Sequence, residues 1–382
     1  MKRSFKTRIY PNNKQKTYLN GCFGLSRFVY NTCLAIWDSE YRAGGKPNFY
    51  SVRNEFNARR KIEFQWTYEY SKWIIDSAAR DLASGFKKFF KGTAKCPKFH
   101  KKGVKDSFRI DGSVIKIDGK YLKLPKGLTL KMAESLRYKD AIKIYNVTVS
   151  KRADMYFVAI ACEVPDTASE SQAAVGIDLG CHVLMALSDG TVIENPRWYR
   201  RREKRMKHLQ RELARKKKGS KNWYKAKRRL AMYQYCTSCM RADYIHKSTS
   251  KIAKEYGIVF LEDLNISGMA KNHKLAKSIS DASMSVIVEQ LSYKTITAKI
   301  DRWYPSSKTC SNCGCIQDMP LKKRTYICPD CGAVIDRDIN AAVNILKVGM
   351  ANYPELMPVE GVDADMAERS EKQESNSKLR VA

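Results

Sequence analysis

Residues 328–345 read CPDCGAVIDRDINAAVNI, and this stretch joins two kinds of chemistry. It begins with Cys328 and Cys331, a Cys-x-x-Cys pair of the kind that binds zinc. Two aspartates, Asp336 and Asp338, follow at the start of a segment whose apolar spacing predicts a helix. The sequence therefore predicts a metal-binding segment that leads directly into a helix carrying carboxylates.

A second Cys-x-x-Cys pair, Cys310 and Cys313, precedes the first pair and is separated from it by a short basic segment. Together the four cysteines predict one zinc ribbon. Four protein thiolates leave no open position for water, so this Zn²⁺ is expected to fold the segment and not to catalyse a reaction. Cys315 is a spare thiol and an alternative ligand to Cys313. Cys236 and Cys239 form a third pair without a partner pair nearby, for which a structural role is the favoured interpretation.

The composition indicates a polyanionic partner. The chain has 382 residues, with 71 Lys plus Arg against 39 Asp plus Glu and a formal charge of +32, far more than solubility requires. No stretch approaches the roughly 20 apolar residues of a membrane span, and the N-terminus lacks a signal peptide's apolar core. We therefore expect a soluble cytoplasmic protein, in which the twelve cysteines bind metal more readily than they form disulfides.

The most basic segment, residues 197–229, contains only two acids, Glu203 and Glu212. KKKGSKN within it predicts a turn between antiparallel helices. A solvated surface is the plain alternative, but the length of the imbalance favours contacts with nucleic-acid phosphates. The candidate contacts are Arg200, Arg201, Arg202, Lys204, Arg205, Lys216, Lys217 and Lys218.

The first half of the chain reads as a strand, a helical block and then short alternating strands that end near residue 164. Because the helical block interrupts the strands, it is expected to be an insertion into a small β-module. A polar linker, PDTASESQAA, predicts a boundary near residue 172.

Three acids at element ends are the candidate catalytic residues. Asp178 ends the predicted strand AVGID, Glu262 ends GIVFLE, and Asp338 opens the last helix. Each is weak evidence by itself, since helix capping also explains Asp338. Together, on so basic a chain, they are the oxygen ligands that two Mg²⁺ ions need for phosphodiester hydrolysis.

The motifs VGIDLG, FLEDLN and DRDINAAVNI, with YPSSKTCSNCG and CPDCG between the last two, closely resemble the RuvC and zinc-ribbon motifs of the TnpB family, relatives of the type V CRISPR effectors. The resemblance implies an α+β multidomain fold: an RNase H-like nuclease with an inserted zinc ribbon, plus a wedge β-barrel carrying an inserted helical recognition domain. The implied divisions are a first barrel strand (1–11), the helical domain (12–100), the rest of the barrel (101–172), the nuclease (173–305), the ribbon (306–335), the last nuclease helix (336–352) and a disordered tail (353–382).

The resemblance also implies the activity: cleavage of double-stranded DNA beside a short adjacent motif, directed by a guide RNA from the transposon end, by a protein that is monomeric in the RNA complex. Within the motifs it selects Asp338 over Asp336 and Glu262 over Asp263. The residues expected to contact nucleic acid are then Lys322, Lys323 and Arg324 in the ribbon and Tyr50, Lys72 and Ser77 in the helical domain.

One departure from the family pattern concerns the segment TITA, between LSYK and KIDRWYP, where the family usually carries several more residues. A shortened joint is expected to pull the strand before the ribbon out of place. The alternative functions are an RNA-guided repressor that no longer cuts, a DNA transposase and a metal-free RNA-binding protein. The intact set of acids favours the nuclease.

Overall fold

The structure is a computed structural model that describes residues 2–104, 106–136, 141–165, 171–320 and 322–357. The chain divides into two compact units, Met1–Thr167 and Ala168–Ala382. Each unit has its own hydrophobic core.

The first unit contains two antiparallel sheets. The larger has the strand order β1-β7-β6-β2, the smaller has the order β3-β4-β5, and a bridge from Ile9 to Met132 joins them. Along β1 buried and exposed side chains alternate, as expected for a strand with one face on a core. The strands are β1 (Lys2–Ile9), β2 (Asp106–Asp111), β3 (Lys116–Asp118), β4 (Tyr121–Leu124), β5 (Leu128–Lys131), β6 (Lys143–Arg152) and β7 (Met155–Glu163).

Between β1 and β2 the chain forms three helices, α1 (Asn13–Arg42), α2 (Phe49–Ile62) and α3 (Lys72–Phe90). Asn12 caps α1 by accepting a hydrogen bond from the Gln15 N–H, while the Gln15 side chain accepts one from the Asn12 N–H. This reciprocal pair satisfies two helix-end donors. The helices and the strands share one core.

The second unit is built on a five-stranded mixed sheet with the order β10-β9-β8-β11-β12. β8, β9 and β10 pair antiparallel, whereas β11 runs parallel to both β8 and β12. The strands are β8 (Ala174–Leu179), β9 (Val183–Leu187), β10 (Val192–Glu194), β11 (Ile258–Glu262) and β12 (Ile296–Ile300). This arrangement is that of an RNase H-like sheet, and the α+β fold class expected from the sequence is confirmed.

The helices of the second unit are α4 (Trp198–Ala214), α5 (Lys221–Glu255), α6 (Ile266–Met269), α7 (Ala276–Ala282), α8 (Met284–Lys294) and α9 (Arg337–Asn352). α4 and α5 pack against each other as a hairpin with residues 215–220 as its turn. α9 packs across the sheet, mainly on β8. Gly176 permits this contact, because a Cβ atom at that position would lie 2.2 Å from the Ala342 carbonyl oxygen.

The ribbon leaves the sheet after β12 and returns through a short antiparallel pair, β13 (Thr325–Ile327) and β14 (Val334–Asp336). Its small core contains Tyr326, whose hydroxyl donates to the carbonyl oxygens of Lys308 and Cys315, each at 3.1 Å. Since β14 ends at Asp336 and α9 begins at Arg337, the ribbon delivers the chain directly to the last helix.

The shortened joint does not disturb the sheet. α8 ends at Lys294, and β12 then pairs in register with all five residues of β11, from Ile258 opposite Ile296 to Glu262 opposite Ile300. The displacement expected from the sequence is therefore absent from this strand pair, because a single residue is enough to connect α8 to β12.

The expectation of a disordered tail from residue 353 is wrong for its first residues. The Tyr353 hydroxyl donates to the Lys299 carbonyl oxygen at 2.9 Å, and Leu356 packs with Ile258, Phe260 and Ile345. The rest of the predicted tail, residues 358–382, lies outside the described residues. Within the described ranges, every helix is too short or too polar to cross a membrane.

Gly176→Ala is expected to lower the free energy of unfolding by about 3 kcal/mol or more, because the new methyl group would collide with the α9 backbone. Urea unfolding followed by circular dichroism measures this loss. Gly24→Ala is the control: its Cβ would have no neighbour closer than 3.9 Å in the interior of α1, so a gain of about 1 kcal/mol is expected. Equal stability of Gly176→Ala and the unsubstituted protein would contradict this packing.

Candidate functional site

The three candidate carboxylates lie on neighbouring elements of the second unit. Asp178 is near the end of β8 and Glu262 is the last residue of β11. These strands are parallel neighbours in which Leu261 pairs with Ile177, so their carboxyl ends meet at one edge of the sheet. Asp338 is in the first turn of α9, the helix that packs on β8. Elements distant in sequence therefore converge on one place.

The electrostatics of Asp178 reflect this convergence. Burial, and after it the negative charges of Glu262 and Asp338, raise the pKa of its carboxyl to about 7. The Arg337 guanidinium and the Leu179 N–H oppose the rise. Carboxylates that repel one another in a partly buried site provide oxygen ligands for a hard cation, which would relieve the repulsion.

Glu262 differs from its neighbour Asp263. Burial raises the pKa of Glu262, whose carboxylate accepts a hydrogen bond from the Ser306 hydroxyl. Asp263 instead forms ion pairs with Lys299 and Arg302, and hydrogen bonds from these two cations lower its pKa. The carboxylate that faces Asp178 is thus Glu262, while Asp263 is neutralised at the surface.

The two aspartates at the start of α9 also have different roles. The Asp336 side chain accepts hydrogen bonds from the N–H groups of Asp338 and Ile339 and so caps the helix. The Asp338 carboxylate does not cap the helix. Its two oxygen atoms lie 3.3 Å and 3.4 Å from Nη1 of Arg324. Capping therefore explains Asp336, whereas Asp338 is available to a cation.

Sequence reasoning missed three contributions to this site. It did not identify the Ser306 hydroxyl, the buried Arg337, or the ion pair between Arg324 and Asp338. The serine pair in the motif YPSSKTC and the arginine beside Asp338 were available as signals. Their significance depends on which carboxylate each one meets, and that is a tertiary property.

The four ribbon cysteines have the spacing of a tetrahedral metal site. Cys310 and Cys331 have sulfurs 3.7 Å apart, and those of Cys313 and Cys328 are 3.5 Å apart. A Zn²⁺ ion with bonds of 2.3 Å requires sulfurs about 3.8 Å apart. Among the residues that the structure describes, these four are the one set of three or more potential ligands whose atoms all lie within 4.8 Å of one another.

Backbone donors lower the pKa of two of these four thiols. The N–H of Cys331 lowers the pKa of Cys328, and the N–H of Ala333 lowers the pKa of Cys331. The Asn312 amide also donates to the Cys331 sulfur at 3.6 Å. A lowered pKa favours the thiolate, which is the form that binds metal.

The other cysteines stay outside this set. Cys315 is not one of the four, and its carbonyl oxygen accepts hydrogen bonds from Cys310 N–H and from Tyr326. Cys236 and Cys239 are exposed on α5, where their side chains contribute nothing to a core.

Two buried asparagines attach the entry of the ribbon to α9. The Asn340 amide donates to the Thr309 carbonyl oxygen at 2.7 Å and accepts from the Ser311 N–H at 2.8 Å. The Asn344 amide donates to the carbonyl oxygens of Ser306 and Thr309 at 2.8 Å and 2.7 Å. One helix thereby holds the ribbon and carries Asp338.

The predicted nucleic-acid contacts divide into exposed and packed residues. Arg202 is packed: its guanidinium donates to the Thr237 hydroxyl at 2.9 Å and lies 4.0 Å from the centre of the Tyr233 ring. Arg200 is exposed, although its guanidinium also donates to the Ser278 hydroxyl. The remaining exposed members of this set are Arg201, Lys204, Arg205, Lys216, Lys217 and Lys218.

The remaining candidates lie in the ribbon and in the first unit. Lys322 and Lys323 are exposed beside Arg324. In the first unit Tyr50 and Lys72 are exposed and Ser77 is half-buried. Lys72 lines a groove of about 400 Å³ whose other charged residues are Arg53, Arg60, Lys61, Asp76 and Arg80.

Known proteins and family profiles resemble this chain over most of its length. A family profile described as "Probable transposase" matches residues 157–273, and one described as "Cas12f1-like, TNB domain" matches residues 287–345. A protein of Streptomyces pristinaespiralis described as an RNA-guided DNA endonuclease is 36% identical over 92% of this chain and 90% of its own. InsQ of Escherichia coli K12, with the same description, is 30% identical over 91% of this chain and 92% of its own. The chain belongs to the TnpB family.

The fold of this TnpB protein resembles that of Cas12f1 in a cryo-EM structure of the Cas12f1-sgRNA-target DNA complex. The TM-score is 0.55 with 14% identity, over 90% of this chain and 98% of Cas12f1. A third profile, described as "Helix-turn-helix domain", matches residues 1–46. In this TnpB protein that range contains β1 and the single continuous helix α1.

The raised pKa of Asp178 predicts how stability depends on pH. Its folded-state pKa of about 7 exceeds its ordinary value of 3.8, so the folded protein binds the proton more tightly and loses stability as pH rises from about 4 to 7. Asp178→Asn removes this loss. Without added Mg²⁺, its Tm should exceed that of the unsubstituted protein by a few degrees at pH 8, and the difference should shrink at pH 5.

Differential scanning fluorimetry across this pH range measures the effect, with Asp263→Asn as the control. The lowered pKa of Asp263 predicts the opposite sign, a small loss of Tm that stays constant from pH 5 to pH 8 and disappears only when the pH falls below the ordinary value of 3.8. Added Mg²⁺ should raise the Tm of the unsubstituted protein more than that of Asp178→Asn. A pH-independent difference between Asp178→Asn and the unsubstituted protein would contradict the assignment.

Proposed function

We propose that this protein is an RNA-guided DNA endonuclease that hydrolyses phosphodiester bonds in double-stranded DNA. The observation that carries the proposal is the convergence of Asp178, Glu262 and Asp338, close enough for two of these charges to raise the pKa of the third. The relatives in Streptomyces pristinaespiralis and Escherichia coli, both described as RNA-guided DNA endonucleases and matched over nine tenths of their length, support the choice of substrate and guide.

The donor set fits Mg²⁺, since it consists of carboxylate oxygens that repel one another. We propose that Asp178 contacts two ions and that Glu262 and Asp338 each hold one. In such sites the ions activate water and stabilise the leaving oxygen.

The chain's own residues orient these ligands. The Ser306 hydroxyl holds one oxygen of Glu262, and Arg337 lowers the charge repulsion at Asp178. Arg337 is itself fixed by donating to the Pro320 carbonyl oxygen at 3.2 Å. Arg324 neutralises Asp338 and, once a metal binds there, is positioned to contact the DNA phosphate. The cut is expected to leave a 5′-phosphate.

We assign RNA binding to the α4–α5 hairpin. Its exposed cations can neutralise phosphates of the guide scaffold, and base pairing between guide and target then selects the sequence. The guide from the transposon end and the short DNA motif beside the target belong to this proposal. Lys322 and Lys323 are assigned to nucleic acid beside the cut, and Tyr50, Lys72 and Ser77 to the DNA motif.

Cleavage of a plasmid library tests the function. The full-length protein is co-expressed with RNA from its own locus and mixed with plasmids that carry the guide-matched target beside a randomised segment. Cleavage should need RNA and Mg²⁺. Asp178→Ala and Glu262→Gln should each reduce the rate about 1,000-fold or more, the equivalent of several kcal/mol of lost transition-state stabilisation.

Asp263→Asn is the matched control for Glu262→Gln, because it removes the adjacent carboxylate that only pairs with surface cations. It should keep most of the activity. Binding of the target without cleavage by the unsubstituted protein would favour the RNA-guided repressor. Joining of DNA ends in place of hydrolysis would favour the transposase.

We also propose one Zn²⁺ ion per chain, held by Cys310, Cys313, Cys328 and Cys331. Metal analysis of purified protein should give about one equivalent of zinc. Cys313→Ser should lose most of it and become sensitive to protease within the ribbon, because a structural site supplies folding energy. Cys315→Ser should retain the zinc. Equal loss in both variants, or zinc loss only in Cys315→Ser, would contradict the ligand set.

A further inference from the structure

Trp303 is exposed to an unusual degree. The residue retains 84% of its accessible surface, the highest value among the large hydrophobic residues that the structure describes. A Trp side chain normally buries a large apolar area, and its ring favours stacking partners. Among the residues that the structure describes, this exposure leaves a flat aromatic surface without a partner.

The exposure does not come from a loose segment. The Trp303 N–H donates to the Asp301 carboxylate at 2.9 Å, and the Tyr304 N–H donates to the Asp301 carbonyl oxygen at 3.2 Å. Tyr304 then packs against the core formed by Ile258, Phe260 and Ile345. The turn is fixed on both sides, so the indole is presented to solvent by an ordered backbone.

The turn lies beside the candidate catalytic carboxylates. Ile300, three residues before Trp303, is the direct sheet partner of Glu262. Ser306, three residues after it, donates its hydroxyl hydrogen bond to Glu262. Three Cα steps of 3.8 Å keep Trp303 within about 11 Å of each neighbour. A strand whose phosphate sits at the carboxylates would have its next bases within reach of the indole.

The charges around Trp303 favour a nucleic-acid base over a protein partner. Its immediate neighbours in the sequence are the exposed Asp301, the exposed Arg302 and the half-buried Tyr304, of which the two exposed residues are charged. Arg302 and Lys299 are held by surface ion pairs with Asp263, which are weak and exchange readily with phosphate. An aromatic face beside cations is the combination that binds single-stranded nucleic acid.

We propose that Trp303 is a stacking platform for an unpaired base of the DNA strand that enters the catalytic site. This inference rests on the proposed function and names a residue that positions the strand. Stacking is sequence-tolerant because every base has a π-face, so the platform would hold any strand that base pairing with the guide has displaced.

Substitutions test the platform in the full-length protein with its guide RNA and Mg²⁺. Trp303→Ala should lower kcat/KM for plasmid cleavage about 5- to 150-fold, with an unchanged Tm because the side chain is exposed. Trp303→Phe should keep most of the activity, and Trp303→Leu should be as impaired as Trp303→Ala. The control is Tyr41→Ala, an aromatic residue that is 62% exposed in the first unit, which should behave like the unsubstituted protein.

An abasic site in the cut strand gives a second measurement. Removal of the base at the position that stacks on Trp303 should slow cleavage by the unsubstituted protein. It should leave cleavage by Trp303→Ala unaffected, because both changes remove the same interaction. Unchanged kcat/KM in Trp303→Ala would overturn the proposal. Full activity of Trp303→Leu would also overturn it, since an aliphatic side chain cannot stack.

Tryptophan fluorescence separates this inference from the proposed function. A single-stranded oligonucleotide should quench emission of the full-length Asp178→Ala protein carrying its guide RNA, and Trp303→Phe in the same background should remove most of the quenching. If the unsubstituted protein cleaved nothing, the proposed nuclease function would fail while this quenching still supported the platform. Equal quenching with and without Trp303 would overturn the platform whatever the cleavage result.

Discussion

Electrostatic repulsion among three carboxylates is the constraint on which this site depends. The parallel pairing of β8 and β11 brings Asp178 beside Glu262, and α9 adds Asp338. A folded chain retains such an arrangement only when other interactions hold the elements in place. Here the sheet and the packing of α9 supply them, so the stability of the second unit supports a site that is unfavourable without a cation.

The ribbon and the candidate catalytic site are both attached to the same helix, α9. Asn340 and Asn344 on α9 hold residues 306–311, the segment that contains both the first ribbon cysteine and the serine that contacts Glu262. β14 returns the chain to α9 within a single residue. Folding of the ribbon around a metal would therefore fix the positions of Ser306, Arg324 and Asp338 together. This explains why a zinc-binding pattern stands so close to a carboxylate pair in the sequence.

The basic side chains of the second unit are of two kinds, those packed inside it and those exposed on its surface. Some cations are used internally: Arg202 packs in the α4–α5 hairpin, and Arg337 is buried behind the carboxylates. Others remain exposed along α4 and in the turn after it. Net charge by itself indicates only that the partner is a polyanion. The division between packed and exposed cations determines which of them can contact it.

The sequence by itself determined the elements and the ligand types. Residue patterns were enough to predict the four ribbon cysteines and the acids at strand and helix ends, because these depend on local patterns and on residue chemistry. The resemblance to the TnpB family implied the α+β fold class. The tertiary structure decided the rest. It assigned Asp336 to helix capping and Asp263 to surface ion pairs, and it brought Ser306 and Arg324 to the carboxylates. It also exposed Trp303. These outcomes depend on contacts between segments far apart in the chain, and no local pattern encodes which partner a side chain meets.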